Sequence, residues 1–520
     1  MKKKFNITGL CNPHVHYIMD NRAKIDKMME MVESGDYFTI SRPRQYGKTT
    51  ALFFLQNRLA NTSNYICLAM SFEDVEDIAQ ISDNAFAQMF SIRIAQELNI
   101  INKNLGIFWN TLSVEITNFN TLSFAISQLV RQSQKQLVLL IDEVDASSNY
   151  ESFLKFLAML RNKYLNRFKR DSETFHSVVL AGVHDVKALK LKLRDPNQQQ
   201  YNSPWNIASD FKIDMAFSAK EIEPMLTEYA EAENVAMNIP VIAEKLYYYT
   251  SGYPFLVSKL CKTIAEDILP KKNDKTWTLD DVETSVHLLL KENNTNIDSL
   301  IKNLENNKDL YDLVYRVIIE GDIIPFNPDA PLILRGVMYG IFKENGQVKI
   351  HNRLYEQRLY NYMTTKTMLE LKPPYDFGNQ FTLENNALDM PSVLLKFQQF
   401  MKEEYNEKDK SFLERNGRLV FLSFFAPILN GKGYTFKEVQ TSEEKRLDIV
   451  TTYFQHKYII ELKRWYGEDY HKKGIAQLTN YLDIHGVDLG YLVIFEHNKI
   501  KSGRQEWIEE KGKKIFAVWV

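Results

Sequence analysis

Two stretches of the 520-residue chain combine residue types that act on phosphates. The first is SRPRQYGKTTAL, which places Gly47, Lys48 and Thr49 in the order of the phosphate-binding pattern G-x-x-x-x-G-K-[ST]. In such a loop, backbone N–H groups and the lysine ammonium surround the phosphates, and the hydroxyl after the lysine reaches Mg²⁺. Arg44, Gln45, Gly47, Lys48, Thr49 and Thr50 are therefore the residues expected at a nucleotide, although Arg42 stands where the pattern has its first glycine. The other half of the site lies downstream, where LVLLIDEVD ends an apolar run in two acids. Asp142 would hold Mg²⁺ beside the Thr49 hydroxyl, and Glu143 would orient or deprotonate the attacking water. The next apolar run, SVVLAGVHD, offers His184 as a polar sensor of the terminal phosphate. Arg161, Arg170 and Arg194 are equally available as an arginine finger, and nothing in the sequence separates them.

The second stretch is RLDIVTTYF followed by KYIIELKRW, two β-branched and aromatic runs separated by Gln455 and His456. They read as a hairpin. Glu461 and Lys463 are two apart and so share a sheet face, with Asp448 on the neighbouring strand. Two carboxylates so arranged suit a hard divalent ion such as Mg²⁺, and Lys463 would position or activate a water. The alternative is a charged strand face with no chemistry. The basic stretches at 463–474 and 511–516 suit nucleic-acid phosphates, but acids interleave them, and a solvated face fits equally well. Neither a zinc spacing nor a G-x-S-x-G signature competes.

These residues need elements to hold them. YFTI at 37–40, then the loop, then ALFFLQNRLAN give strand, loop and helix in order. Further strands at 65–71, 137–141 and 177–181, separated by helical stretches, predict a parallel sheet covered by helices. An amphipathic helix, AKIDKMMEMVESG, precedes them. Residues 219–300 turn helical, and 306–365 mix helices with a short strand pair around 339–353. ELKPPYDFGNQ at 370–380 reads as a linker. The last unit opens with helices, continues through the hairpin and a helix at 471–485, and closes with GYLVIF and IFAVWV as strands. The predicted domains are 1–218, a helical lid 219–300, a winged-helix-like region 301–370, a linker 371–384, and 385–520.

Composition constrains the rest. Hydrophobic residues are 45% and charged residues 25%, as in a soluble globular chain of several domains. The formal charge of −2 demands no polyanionic partner, so any basic surface must be local. Three scattered cysteines fit a reducing compartment. The basic start, MKKKFNITGL, has no apolar run behind it, and LVFLSFFAPIL at 419–429 reads as a buried helix. The expectation is a cytoplasmic protein with no membrane partner.

With these residues in view, GLCNPHVHY, SRPRQYGKTTAL and the paired acids resemble AAA-like ATPases of the STAND group of signal-transduction ATPases. NSPWNIASDF at 202–211, TSGYPFLVSKLCK at 250–262 and HNRLYEQRLYNYM at 351–363 extend the resemblance over residues 1–365. It implies ATP and Mg²⁺ as cofactors, His16 and Tyr17 as contacts to the base, and Pro254 of Gly252-Tyr253-Pro254 against the nucleotide. Residues 385–520 resemble the PD-(D/E)XK nuclease superfamily through Asp448, Glu461-Leu462-Lys463 and Gln477 in GIAQLTNYL, with Leu447 in place of the usual proline. That resemblance implies a metal-dependent DNA nuclease and a further acidic ligand from a preceding helix, Glu414, with Glu438 the other candidate. The joint expectation is an α/β multidomain protein: a P-loop AAA-like parallel-sheet ATPase, a helical lid with a winged-helix-like region, and a restriction-endonuclease-like α/β domain. An ATP switch would license DNA cleavage in prokaryotic defence or mobile-element biology, with a protein trigger and a homo-oligomer as further expectations. The rival reading keeps the ATPase and makes the C-terminal fold a non-cutting module that binds nucleic acid or a protein.

Overall fold

The computed structural model describes residues 2–73, 82–144, 151–169, 172–183, 205, 207–211, 213–292, 294–320, 322–343, 346–371, 380–404, 410–429, 433–437, 448–465, 467–484, 486–496 and 503–520. These form two compact units. One comprises 1–300 with 334–342 and 351–353; the other comprises 301–333, 343–350 and 354–520.

In the first unit the chain runs α1 (Arg22–Glu33), β1 (Tyr37–Ser41), α2 (Lys48–Ala60), β2 (Tyr65–Ser71), α3 (Asp83–Ile101), α4 (Lys103–Ser113) and α5 (Phe119–Ser133), then β3 (Gln136–Asp142), α6 (Glu151–Asn166), β4 (Ser177–Gly182) and β5 (Ser209–Asp210). Among the described residues the five strands pair in the order β2-β3-β4-β1-β5, every pairing parallel. Strands β2, β3 and β4 are short, mostly aliphatic runs because helices cover both faces, leaving no solvated side to alternate with. In β3 every residue after Gln136 is buried. Phe86, Phe90, Trp109, Phe153 and Phe156 fill the core beneath α3–α6. Ser41 pairs with Gly182 and Ser71 with Asp142, so the carboxyl ends of the strands align along one edge, where open α/β sheets bind ligands.

The unit continues with α7 (Ala219–Glu233), β6 (Ala236–Met237), α8 (Ile239–Thr250), α9 (Pro254–Thr263), β7 (Thr276–Trp277) and α10 (Leu279–Lys291), the predicted helical segment. A capping box of Ser218 and Glu221 starts α7. The amino-terminal lysines run along this helix: Lys2 pairs with Glu233 at 2.8 Å, Lys3 pairs with Glu228, and buried Lys24 pairs with Glu221 at 2.6 Å. Lys2 and Lys3 of the basic tip thus pair with acids of α7. Beyond α10 come α11 (Thr295–Glu305), α12 (Lys308–Tyr315), α13 (Pro331–Met338), two-residue strands β8 (Phe342–Lys343) and β9 (Lys349–Ile350), and α14 (Arg353–Leu371).

The second unit holds α15 (Met390–Glu404), α16 (Lys410–Leu429), β10 (Gly433–Lys437), β11 (Asp448–Tyr453), β12 (His456–Arg464), α17 (Glu468–Ile484), β13 (Leu489–Phe495), β14 (Gln505–Glu510) and β15 (Lys513–Trp519). The strands form a mixed sheet in the order β10-β11-β12-β13-β15-β14. The apolar run at 419–429 is the buried part of α16, as predicted. Paired neighbours share a sheet face, so Glu461 and Lys463 lie with Leu492 and Ile494 on the side packed by Ile475, Leu478 and Leu482 of α17. Phe495 faces the other way, against Phe397 of α15 and beside Gly417 of α16. Among the described residues no helix is long and apolar enough to cross a membrane.

Candidate functional sites

After β1 the chain turns through residues 42–46 before α2 begins. Gln45 (φ +57°) and Gly47 (φ +81°) are both left-handed, and Gly47 caps α2 in a conformation only glycine takes freely. Such turns curve successive N–H groups toward one concavity, at the positive end of a helix. Lys48 is buried, and its ammonium donates to the carbonyl oxygens of Arg42 at 3.1 Å and Pro43 at 3.0 Å. The Thr49 hydroxyl donates to Asp142 Oδ2 at 2.5 Å. The Glu143 N–H donates to Asp142 Oδ1 at 2.9 Å, with Glu143 itself at φ +53°. Thr50 Oγ1 accepts from the Cys11 N–H at 3.2 Å, fastening the lead-in loop to α2. This donor set fits a nucleotide phosphate with a divalent ion: a hydroxyl and a carboxylate already adjacent, and an ammonium held at the turn.

Arg42 accounts for the missing glycine. Its guanidinium donates to the carbonyls of Ser41, Phe211 and Ile213 at 2.8, 3.2 and 2.8 Å, pinning the segment after β5. The rest of the loop is held from outside by residues distant in sequence. Tyr46 is buried, its hydroxyl 3.0 Å from His351 Nε2 and 3.4 Å from Asp214 Oδ1. Gln45 Oε1 accepts from Asn296 at 2.8 Å, and the Tyr253 hydroxyl donates to the Arg44 carbonyl. Pro254 Cγ lies 3.8 Å from where a Cβ on Gly47 would be, so the Gly-Tyr-Pro turn does meet the loop.

His16 sits in the lead-in loop, its Nδ1 accepting from the Asn12 N–H at 2.9 Å. Burial, aided by Lys4, lowers its pKa, favouring the neutral ring. The Tyr17 ring is 3% exposed and packs at 5.0 Å on Phe5 and 5.4 Å on Tyr229, within an aromatic core. Arg161 is on α6; His184, Arg170 and Arg194 lie outside the described residues.

In the second unit, β11 and β12 are antiparallel with Asp448 directly opposite Glu461. Glu461 is 1% exposed and pairs with Lys463, Nζ to Oε1 at 3.3 Å. From the other side Lys463 Nζ donates to Gln477 Oε1 on α17, also at 3.3 Å. Glu461 and Lys463, both buried, and half-buried Gln477 therefore meet in one cluster at the register position of Asp448. Burying a carboxylate here is tolerable because the ammonium is beside it, and a divalent ion would supply more of the same sign. Glu414 is on α16, and its side chain lies outside the described residues. Glu438 lies outside the described residues. Within the basic stretch at the end of the chain, Lys513 is held by Asp483 and Asp488 at 3.1 and 2.8 Å, which leaves less charge for phosphates than the sequence suggests.

Residues 11–361 match the family model of the AAA-like domain. The chain belongs to the AAA-like family. Residues 433–507 of this AAA-like protein match the model of the PD-(D/E)XK nuclease superfamily, over the strands and helix that carry the buried cluster. Among curated proteins it is similar to an uncharacterised WD repeat-containing protein of Synechocystis sp., 21% identical over 400 residues. That match takes in 73% of this chain but only 32% of the relative's length. Among solved structures it is similar to a Walker-type ATPase of Pyrococcus abyssi (13% identity, TM-score 0.47, 68% of this chain and 99% of that one). The Aeropyrum pernix ORC2 protein (12%, 0.40, 68% and 96%) and the RuvB branch migration motor of Thermotoga maritima (14%, 0.34, 66% and 95%) also match.

Sequence reasoning missed Tyr46, Asp214, Asn296 and His351 around the loop. Tyr46, an aromatic inside a phosphate loop, was the one available signal. Its hydroxyl contacts are 168 and 305 residues away, beyond any local pattern.

Proposed function

We propose that this chain, which joins an AAA-like ATPase region to a PD-(D/E)XK domain, is an ATP-hydrolysing switch controlling a Mg²⁺-dependent DNA nuclease, acting in the cytoplasm in prokaryotic defence or mobile-element biology. The observation that carries the nuclease reading is the buried Glu461–Lys463–Gln477 cluster beside the register position of Asp448. Asp448 and Glu461 would hold Mg²⁺, which supplies stabilisation of charge on the phosphodiester. Lys463 orients and activates the attacking water, and Gln477 fixes the direction of the lysine ammonium.

In the ATPase, Gly47 and Lys48 bind the phosphates, and Thr49 and Asp142 would hold Mg²⁺. Glu143 is the base for water. STAND-type signalling supplies the logic: a protein trigger changes the nucleotide state, a homo-oligomer assembles, and the nuclease is licensed. The test is plasmid cleavage by the purified chain with Mg²⁺ or Mn²⁺, with and without ATP, beside Lys463→Ala and Lys48→Ala. Nicking abolished in Lys463→Ala and altered in Lys48→Ala is the expected result. ATP turnover with no cleavage under any condition would reduce the C-terminal claim to its fold.

A further inference from the structure

Gly474 is buried in the interior of α17, where glycine weakens a helix relative to alanine. Its helix neighbours Ile475, Leu478 and Leu482 put large side chains on the sheet. Gly474 does the opposite. A Cβ at this position would lie 2.1 Å from Lys463 Nζ, 2.7 Å from its Cε and 2.9 Å from its Cδ. The end of the lysine side chain therefore occupies the space that any other residue at 474 would fill. One helical turn on, at i+3 and so on the same side of α17, Gln477 accepts from that ammonium, while Glu461 meets it from the strand.

We propose that Gly474 is a positioning residue of the nuclease: its missing side chain makes the slot that holds the Lys463 ammonium between Glu461 and Gln477. The functional unit on α17 is then Gly-x-x-Gln, with the glutamine aiming the lysine and the glycine admitting it. The proposal rests on the nuclease reading, but the slot itself has a signature independent of cleavage. The atoms that alanine would strike form the flexible end of a lysine and are not backbone, so the helix can keep its place while the ammonium is expelled.

Gly474→Ala should stay folded, melting no lower than Lys463→Met because both part the ammonium from buried Glu461, yet cleave plasmid about 100-fold more slowly than wild type, the scale of loss for a reacting group displaced by about 1 Å. The double variant Gly474→Ala/Lys463→Ala should cleave no more slowly than Lys463→Ala alone, because the glycine acts only through the lysine. A second readout needs no cleavage: acetylation by acetic anhydride, followed by peptide mass spectrometry. Lys463, 8% exposed, should be protected in the wild type and acetylated several-fold faster in Gly474→Ala. Faster acetylation with no cleavage even by the wild type would sink the nuclease reading and leave the slot standing. Unchanged acetylation, or cleavage at the wild-type rate in Gly474→Ala, would overturn the proposal.

Discussion

Gly252 lies at the turn from α8 into α9 with φ +71°. A Cβ there would stand 1.9 Å from the Phe217 carbonyl oxygen and 2.7 Å from the Phe217 carbonyl carbon and amide nitrogen. All three are backbone atoms and cannot swing aside. The Phe217 N–H donates to the Gly252 carbonyl at 2.9 Å, so parting the two segments also breaks that bond. For Gly252→Ala the left-handed φ costs about 1–2 kcal/mol. The broken buried hydrogen bond costs about 1–3 kcal/mol more, giving roughly 2–5 kcal/mol in all. Gly9→Ala is the control: it is left-handed at φ +59° with nothing within 4 Å of a Cβ, and loses only the first term. Urea unfolding of the full chain measures both, and their difference isolates the close approach. Tyr253 and Pro254 follow Gly252 onto the phosphate loop, so losing the Tyr253–Arg44 bond should weaken a fluorescent ATP analogue about five- to tenfold. If Gly252→Ala unfolds within about 0.5 kcal/mol of Gly9→Ala and binds the analogue like wild type, the reasoning fails.

Thr49→Val keeps the shape of the side chain but deletes the hydroxyl bonded to Asp142. ATP turnover should fall about 100-fold while Mg²⁺-free nucleotide binding persists, as a Mg²⁺ titration of turnover would show. Burial lowers the Lys163 ammonium from 10.5 to about 8. Its folded pKa is below its unfolded one, so the penalty is fully present below about pH 8 and is relieved as pH rises toward 10.5. Urea midpoints should therefore rise over that window, and Lys163→Met should lack this component. Lys463→Met removes the cation beside the buried Glu461 carboxylate, an expected loss of about 3–5 kcal/mol in the absence of metal. Mg²⁺ should restore part of it by replacing the charge, and no recovery in metal-titrated unfolding would count against Glu461 as a ligand.

Strands β1 to β4 were legible because each is a short, mostly apolar run, and burial on both faces leaves that signature. The hairpin was legible for a similar reason. Its turn falls at residues 454–455, one residue earlier than the sequence suggested, with Phe454 taking φ +49°. Asp448 still lands opposite Glu461, since strand register is set by the whole buried face and not by the turn alone. What escaped was of two kinds. β14 alternates exposed and half-buried positions, with Trp507 outward, too weak a pattern for a segment as polar as QEWIEE. The contacts around Tyr46, and the Gly474 slot, depend on elements meeting in three dimensions, and a glycine within a helical run carries no mark of what fills the space it leaves.

The two lysines differ in how they are held, and the difference bears on what each can do. Lys48 donates to the backbone carbonyls of residues 42 and 43, and in the proposed reading a nucleotide phosphate would compete with them for the ammonium. Those residues are tied in turn to the chain after β5 through the Arg42 guanidinium and to the Gly340 turn through Pro43. On that reading, nucleotide entry would act on the segment that fastens the loop to its surroundings. Lys463 is already matched by a carboxylate and an amide and gains nothing by moving. A group fixed in that way is suited to orient a water repeatedly, and poorly suited to report that a ligand has arrived. In the proposed reading, the first lysine would be the one that responds to nucleotide and the second the one that stays in place for the chemistry.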